Sequence, residues 1–153
     1  DLIVVSPDTG FVKQARRYAT FLNCNLAIGD KQRIAHDEQA EILQIIGDVK
    51  GKTALIVDDF TISAGTLVEI ANTLVKHGAK AVYAAVTHGV FAPGTKERID
   101  DSPITKLLVT DSIETQPTPM SDKVEVVTVA PYLAEAIRRI HNRESISVLF
   151  SNV

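Results

Sequence analysis

Two adjacent carboxylates, Asp58 and Asp59, end an apolar run, and a small, hydroxyl-bearing stretch, Ser63-Ala64-Gly65-Thr66, follows just before a helical pattern begins. The run "TALIV" reads as a strand that delivers both acids to a sheet edge. A helix opening near Thr66 aims its unbonded N–H groups and the positive end of its dipole back at the turn. A phosphate monoester suits that place, held by the amides and by the hydroxyls of Ser63 and Thr66. Gly65 would let the backbone approach it closely. The carboxylates cannot serve the same anion, because like charges repel. They suit two neighbouring sugar hydroxyls as acceptors, or a divalent cation bound directly or through water. A phosphate beside a diol acceptor describes ribose 5-phosphate. Two other readings stand at this point: a solvated strand end with Ser63 capping the helix, and a receiver-type phosphorylation site. The second needs its acidic pair at the first strand and no phosphate turn after the acceptor.

Residues 47–53, "GDVKGKT", imitate a phosphate loop. The glycines stand too close together for that motif, and a strand follows where a helix is required. The stretch is expected to be a turn feeding "TALIVDD". Elsewhere, His36, His77, His141 and Cys24 share no metal-ligand spacing, and no Ser–His–Asp order stands out. His88 could touch a ligand or a partner subunit, or cap a strand turn. Cys24 is expected in or near the core.

The elements that must position these residues follow from the patterning. Apolar runs at 2–6, 25–30, 53–59, 81–88, 106–112 and 124–130 are rich in Val and Ile without strict alternation. That predicts strands covered on both faces. Val12, Ala15, Ala19 and Leu22 fall at helical spacing, as do Leu67, Ile70, Ala71, Leu74 and Val75, with Gly78 as a stop. A third helix is predicted over 131–142, with Leu133, Ala134, Ile137 and Ile140 on one face. Alternating strands and helices imply a three-layer α/β domain, residues 1–153, with a mainly parallel sheet flanked by helices. Ligands of such sheets bind at the carboxyl ends of the strands. This singles out Ser6, Pro7 and Asp8, Asp30 and Lys31, Asp58 and Asp59, Thr87 and His88, and Asp111. Residues 30–39, "DKQRIAHDEQ", read as a polar, irregular segment.

Bulk composition narrows the classes. The chain has 153 residues, 45% hydrophobic and 23% charged, with a formal net charge of -3. There is no basic stripe, so nucleic acid is not an expected partner. One cysteine and no apolar stretch long enough for a membrane span predict a cytoplasmic setting without membrane attachment. A chain that begins inside a strand is expected to be part of something longer.

The stretch "VDDFTISAGT" resembles the phosphoribosyl diphosphate signature of type I phosphoribosyltransferases. With "VVSPDTGFVKQAR" (4–16), "IGDKQR" (28–33), "IIGDVKGKTALIVDD" (45–59), "GAKAVYAAVTHGVF" (78–91) and "LAEAIRRIHNRESISVLF" (133–150), the whole chain resembles the ribose-phosphate diphosphokinase family. The resemblance implies a type I phosphoribosyltransferase-like fold and the C-terminal half of a two-half enzyme. It implies transfer of diphosphate from ATP to the 1-hydroxyl of ribose 5-phosphate with Mg²⁺. By position, Asp58, Asp59, Ser63, Ala64, Gly65 and Thr66 would hold ribose 5-phosphate and Asp8 a magnesium ion. Lys31 and Arg33 would sit on a mobile catalytic loop. Partners would be an N-terminal half and like subunits in a homo-oligomer, to which the apolar tail "SISVLF" would contribute. Three positions depart from the family pattern. Ile62 stands where an aspartate is usual, Phe11 replaces a glycine, and Gln32 replaces a basic residue. These departures keep a second reading open, a non-catalytic binding or regulatory subunit. A stand-alone nucleobase phosphoribosyltransferase would need a hood segment for which the chain has no spare length.

Overall fold

The computed structural model describes residues 1–33, 41–114 and 120–150. In chain order the elements are β1 (Leu2–Ser6), α1 (Val12–Phe21), β2 (Asn25–Arg33), β3 (Glu41–Ile46), β4 (Thr53–Thr61), α2 (Gly65–Lys76), β5 (Ala81–Gly89), α3 (Thr95–Asp100), β6 (Ile104–Thr110), β7 (Val124–Val127) and α4 (Ala130–His141). A 3₁₀ turn over Ser147–Phe150 follows. Seven strands form one sheet in the order β3-β2-β1-β4-β5-β6-β7. Every pairing is parallel except β2 with β3.

The order reverses at β1 and β4. From β1 the chain crosses to β2 on one side, and from β4 it runs through β5 and β6 to β7 on the other. That switch opens a crevice at the carboxyl ends of β1 and β4, where ligands of open α/β sheets bind. The two helices that follow these strands lie on opposite faces. On one, Ala15 and Ala19 of α1 pack with Val4 and Val57. On the other, Leu67, Ile70, Ala71 and Leu74 of α2 pack with Ile3, Val5 and Ile56, all essentially inaccessible. Burying each of the larger side chains contributes about 1.5–3 kcal/mol, so α2 is anchored along its length. It ends as expected at Gly78, whose φ of +85° suits a residue without Cβ.

Three features differ from the sequence reading. Residues 30–33 continue β2 rather than opening an irregular segment, because Asp30 to Arg33 pair with Gln44 to Glu41 of the antiparallel β3. The rest of that segment, with His36, lies outside the described residues. α3 and the 3₁₀ turn were not anticipated, being too short to show a periodicity. Finally, α4 forms where the spacing placed it, but its apolar stripe is not packed on the sheet. Tyr132, Leu133, Ile137 and Ile140 are each more than half exposed, as is Phe150 beyond them. Among the described residues, no helix is long and apolar enough to cross a membrane.

Candidate functional site

The core of β4 ends at Val57; Asp58 is half-buried, Asp59 and Phe60 are exposed, and Thr61 is buried again. Asp58 and Asp59 therefore lie on the last part of β4, still paired with β5, at the switch point. The backbone steers both acids. The Asp59 amide donates to Asp58 Oδ1 at 2.9 Å, and the Phe60 amide to Asp59 Oδ1 at 2.8 Å. Burial pushes the Asp58 carboxyl up to about 6, and the charges of Asp59 and Asp8 add to it, against the lowering effect of the Asp59 amide. Asp8 is held by the first turn of α1. Its Oδ1 accepts the Phe11 amide at 2.9 Å, and Ser6 Oγ donates to its carbonyl at 2.8 Å. A Cβ on Gly10 would stand 3.2 Å from that same Oδ1, so the glycine gives this carboxylate room.

Beyond β4 the chain turns into α2 through Ala64, which is fully buried and has left-handed backbone angles, φ 56° and ψ 11°. The first helical bond runs from the Val68 amide to the Ala64 carbonyl at 3.0 Å. By helix geometry the amides of Gly65, Thr66 and Leu67 then have no acceptor within α2. The Ala64 amide itself is taken: it donates to Thr61 Oγ1 at 3.1 Å. Ser63 makes no side-chain cap to the helix, so the capping alternative for it does not describe this turn. Nor is Gly65 the conformationally special residue. Its φ is not positive, and an added Cβ would meet Ser63 Oγ at an ordinary 3.4 Å. The left-handed position is one residue earlier, on Ala64.

These pieces line one cleft of about 540 Å³, with Asp8, Phe11, Gln14, Asp58, Asp59, Ser63, Gly65 and Thr66 on its walls. Phe60 and Ile62 add apolar, half-exposed surface. Of the expected ligand-holding residues, the fold thus brings Asp8, Asp58, Asp59, Ser63, Gly65 and Thr66 together. Ala64 shapes the turn from the core instead of facing the cleft. Lys31 and Arg33 are strand residues, which corrects their placement on a loop. Ser6, at the end of β1, pairs with Ile28. Lys31 and Arg33 follow three and five residues later, roughly 10 and 17 Å farther along β2 at strand rise.

No Lys, Arg or His is among the described residues that line the cleft. Among these described lining residues the acids meet no cation, and a divalent cation fits such a donor set. Among the described residues no three Asp, Glu, His or Cys converge into a cage.

Other sequence candidates resolve differently. In the turn over 47–53, Lys52 is occupied by a neighbouring aspartate. Lys52 Nζ donates to the Asp48 carbonyl at 2.7 Å and lies 3.3 Å from its carboxylate. Asp111 accepts the Val129 amide at 2.8 Å, pinning the start of α4, and Thr128 and Val129 hold its carboxyl below the usual range. His88 Nδ1 sits 2.7 Å from Ser112 Oγ at the ends of β5 and β6. Cys24 is a half-buried free thiol beside the smaller apolar cluster.

The sequence reading missed what braces the turn. The Ile62 carbonyl accepts the Ala92 amide at 2.8 Å and the Thr95 hydroxyl at 3.3 Å. The Val90 amide donates to the Thr61 carbonyl at 2.9 Å. Arg98 Nη1 donates to the Ser63 carbonyl at 2.6 Å. A Pro93-Gly94-Thr95 turn signal was present in the sequence, but nothing local says where that turn packs.

Comparison with known proteins fits this geometry. Residues 31–151 match the family model described as "Phosphoribosyl synthetase-associated domain". The chain is 49% identical over 151 residues to a ribose-phosphate pyrophosphokinase of Caldanaerobacter subterraneus, covering 99% of this chain and 48% of that protein. It is 46% identical over 150 residues to one of Halalkalibacterium halodurans, covering 98% and 47%. The crystal structure of phosphoribosylpyrophosphate synthetase from Mycobacterium smegmatis superposes with a TM-score of 0.85 at 33% identity, covering 94% of this chain and 46% of that one. The fold is the type I phosphoribosyltransferase-like α/β class that the resemblance implied. The chain spans about half the length of the curated relatives it matches. These matches do not support assigning it to their C-terminal half. With 31–151 matched, the chain belongs to the phosphoribosyl synthetase-associated domain family, that of the ribose-phosphate pyrophosphokinases.

Proposed function

We propose that the cleft binds ribose 5-phosphate and serves diphosphate transfer from ATP to the sugar's 1-hydroxyl. One observation carries this reading: paired carboxylates at the end of β4 stand one turn from the open amides of α2, around a single cleft. The amides of Gly65, Thr66 and Leu67 and the hydroxyls of Ser63 and Thr66 would hold the phosphate, favoured by the helix dipole. Asp58 and Asp59 would accept hydrogen bonds from the sugar hydroxyls through their remaining oxygens. Asp8 would hold magnesium, which neutralises phosphate charge in such transfers.

Lys31 and Arg33, on the part of β2 that pairs with β3, would bring positive charge toward the group being transferred. Fixed cations aimed at developing charge lower the barrier most when water is excluded. The whole reaction needs the length that the relatives have and this chain does not span, so the 153 residues by themselves are expected to bind sugar phosphate without turnover. Exposed Ile62, standing where the resemblance implies an aspartate, favours a second reading, a binding or regulatory module.

Calorimetric titration with ribose 5-phosphate, and with ribose as the control lacking the anion, tests the binding. The expected result is binding that requires the phosphate and is weakened at least tenfold by Asp59→Asn, the loss of about one charged hydrogen bond. Absence of binding, or binding indifferent to Asp59→Asn, would overturn the reading. Turnover with ATP and magnesium in the presence of the relatives' remaining half separates the enzyme from the binding module.

A further inference from the structure

The turn between β4 and α2 contains one peptide unit, Ser63–Ala64, that is tied at both of its polar ends. Its N–H donates to Thr61 Oγ1 at 3.1 Å, and its carbonyl accepts Arg98 Nη1 at 2.6 Å. The residue on its far side, Ala64, is held at φ 56°. A non-glycine residue is strained there and persists only where its surroundings impose it. Arg98 is not among the residues lining the cleft, so it grips the carbonyl from outside. Its own platform is firm. Thr95, at the start of the same short helix, donates to the carbonyls of Ala92 and Ile62. Behind it the Phe91 ring fills the space over Gly89, where a Cβ would stand 2.6 Å from a ring carbon.

The geometry points to Arg98 as a positioning residue for the anion cradle, acting through the Ser63–Ala64 peptide. Rotating that peptide would carry a carbonyl dipole toward the place where the phosphate is to sit and would move the first open amides of α2 out of line. Left-handed strain at Ala64 favours such a rotation, and the two bonds oppose it. Arg98 also adds a formal positive charge behind the cradle without lining the cleft, so ligand exchange does not have to strip water from it. This inference rests on the phosphate-binding reading of the cleft, and its test is arranged to fail separately.

The test compares the chain with Arg98→Gln and Arg98→Lys. Inorganic phosphate and ribose 5-phosphate are titrated calorimetrically. Hydrogen exchange of the Ala64 amide is followed by NMR, with core amides of Ile70 and Leu74 as controls. Arg98→Gln should weaken both ligands about tenfold and raise Ala64 exchange about tenfold. The core amides and the thermal midpoint should barely move. Arg98→Lys, keeping the charge but not the fork, should recover part of the affinity. Unchanged affinity and unchanged Ala64 exchange in Arg98→Gln would overturn the positioning role while leaving the phosphate reading intact. Uniform acceleration of Ala64 and the core amides would reduce Arg98 to a general stabiliser and also overturn it. If the parent chain binds neither ligand yet Ala64 exchange rises selectively in Arg98→Gln, the clamp stands and the phosphate reading falls.

Discussion

β4 is entered and left through turns that look alike on paper and differ in what they do with their polar groups. The entering turn, 47–53, has two glycines with positive φ, Gly47 and Gly51, and a lysine. Its groups are already spent: Asp48 takes the Lys50 amide and the Lys52 ammonium, and the Gly51 amide donates to the Gly78 carbonyl beyond α2. In the leaving turn, 61–65, one peptide is tied down by Thr61 from within and Arg98 from outside, and the next amides are left open at a helix start. A phosphate site depends less on glycines and a lysine than on N–H groups with nothing else to bond.

The sharpest way to break this contrast is to remove charge at each end of β4. Asp59→Asn should cost ribose 5-phosphate affinity ten- to a hundredfold, since hydrogen bonds to a charged acceptor are worth about 1.5–3 kcal/mol. Lys52→Gln in the entering turn should leave that affinity unchanged. Equal losses in the two variants, measured by calorimetry, would put the anion site at the wrong end of the strand.

A smaller effect comes from Asp58. Folding raises its pKa from 3.8 to about 6, so the folded state favours the protonated form. Its favourable contribution is present below about pH 4 and is lost as pH rises through about 6. Asp58→Asn keeps an oxygen acceptor for the Asp59 amide and removes the charge. In the ligand-free, metal-free protein it should therefore be more stable than the parent above pH 6 and equal to it below pH 4. The gap is expected to be about 1 kcal/mol, after allowing for solvent screening of a half-buried group. Thermal or urea unfolding across that range checks it, and a gap that widens as pH falls would contradict the sign.

The glycines provide the finest distinction. Gly51→Ala places a Cβ at φ +72° in open space, so the cost is backbone strain of about 1 kcal/mol, with no effect on binding. Gly65→Ala meets only an ordinary contact and keeps a normal φ; stability should change by less than about 0.5 kcal/mol. Any loss there should be in affinity, because the new methyl group stands on the cleft wall. Urea midpoints and titrations on both variants read the two quantities apart.

Much of this arrangement was legible before any coordinates. Six of the seven strands and three of the four α-helices follow from apolar runs and helical spacing, because those periodicities are local consequences of burial on a sheet or helix face. The acid pair, the small turn and the following helix form one contiguous stretch, so the sequence alone placed Asp58, Asp59, Ser63, Gly65 and Thr66 together. The antiparallel β3 was not legible, since its register depends on pairing with β2. Nor was the exposure of the α4 stripe, because the same amphipathic pattern describes a packed helix and an unpacked one.

By itself, then, the sequence determined which residues could do chemistry and which elements carry them, since both are written in short-range order. Only the tertiary structure decided that Arg98, 35 residues from Ser63, reaches its carbonyl. It also decided that Asp58 is half-buried, which raises its pKa, with the charges of Asp59 and Asp8 adding to the effect, and that Ala64 rather than Gly65 bears the left-handed turn. Each of these depends on where packing brings distant segments together: hydrogen bonds act only at contact distance, and Coulomb interactions weaken with separation.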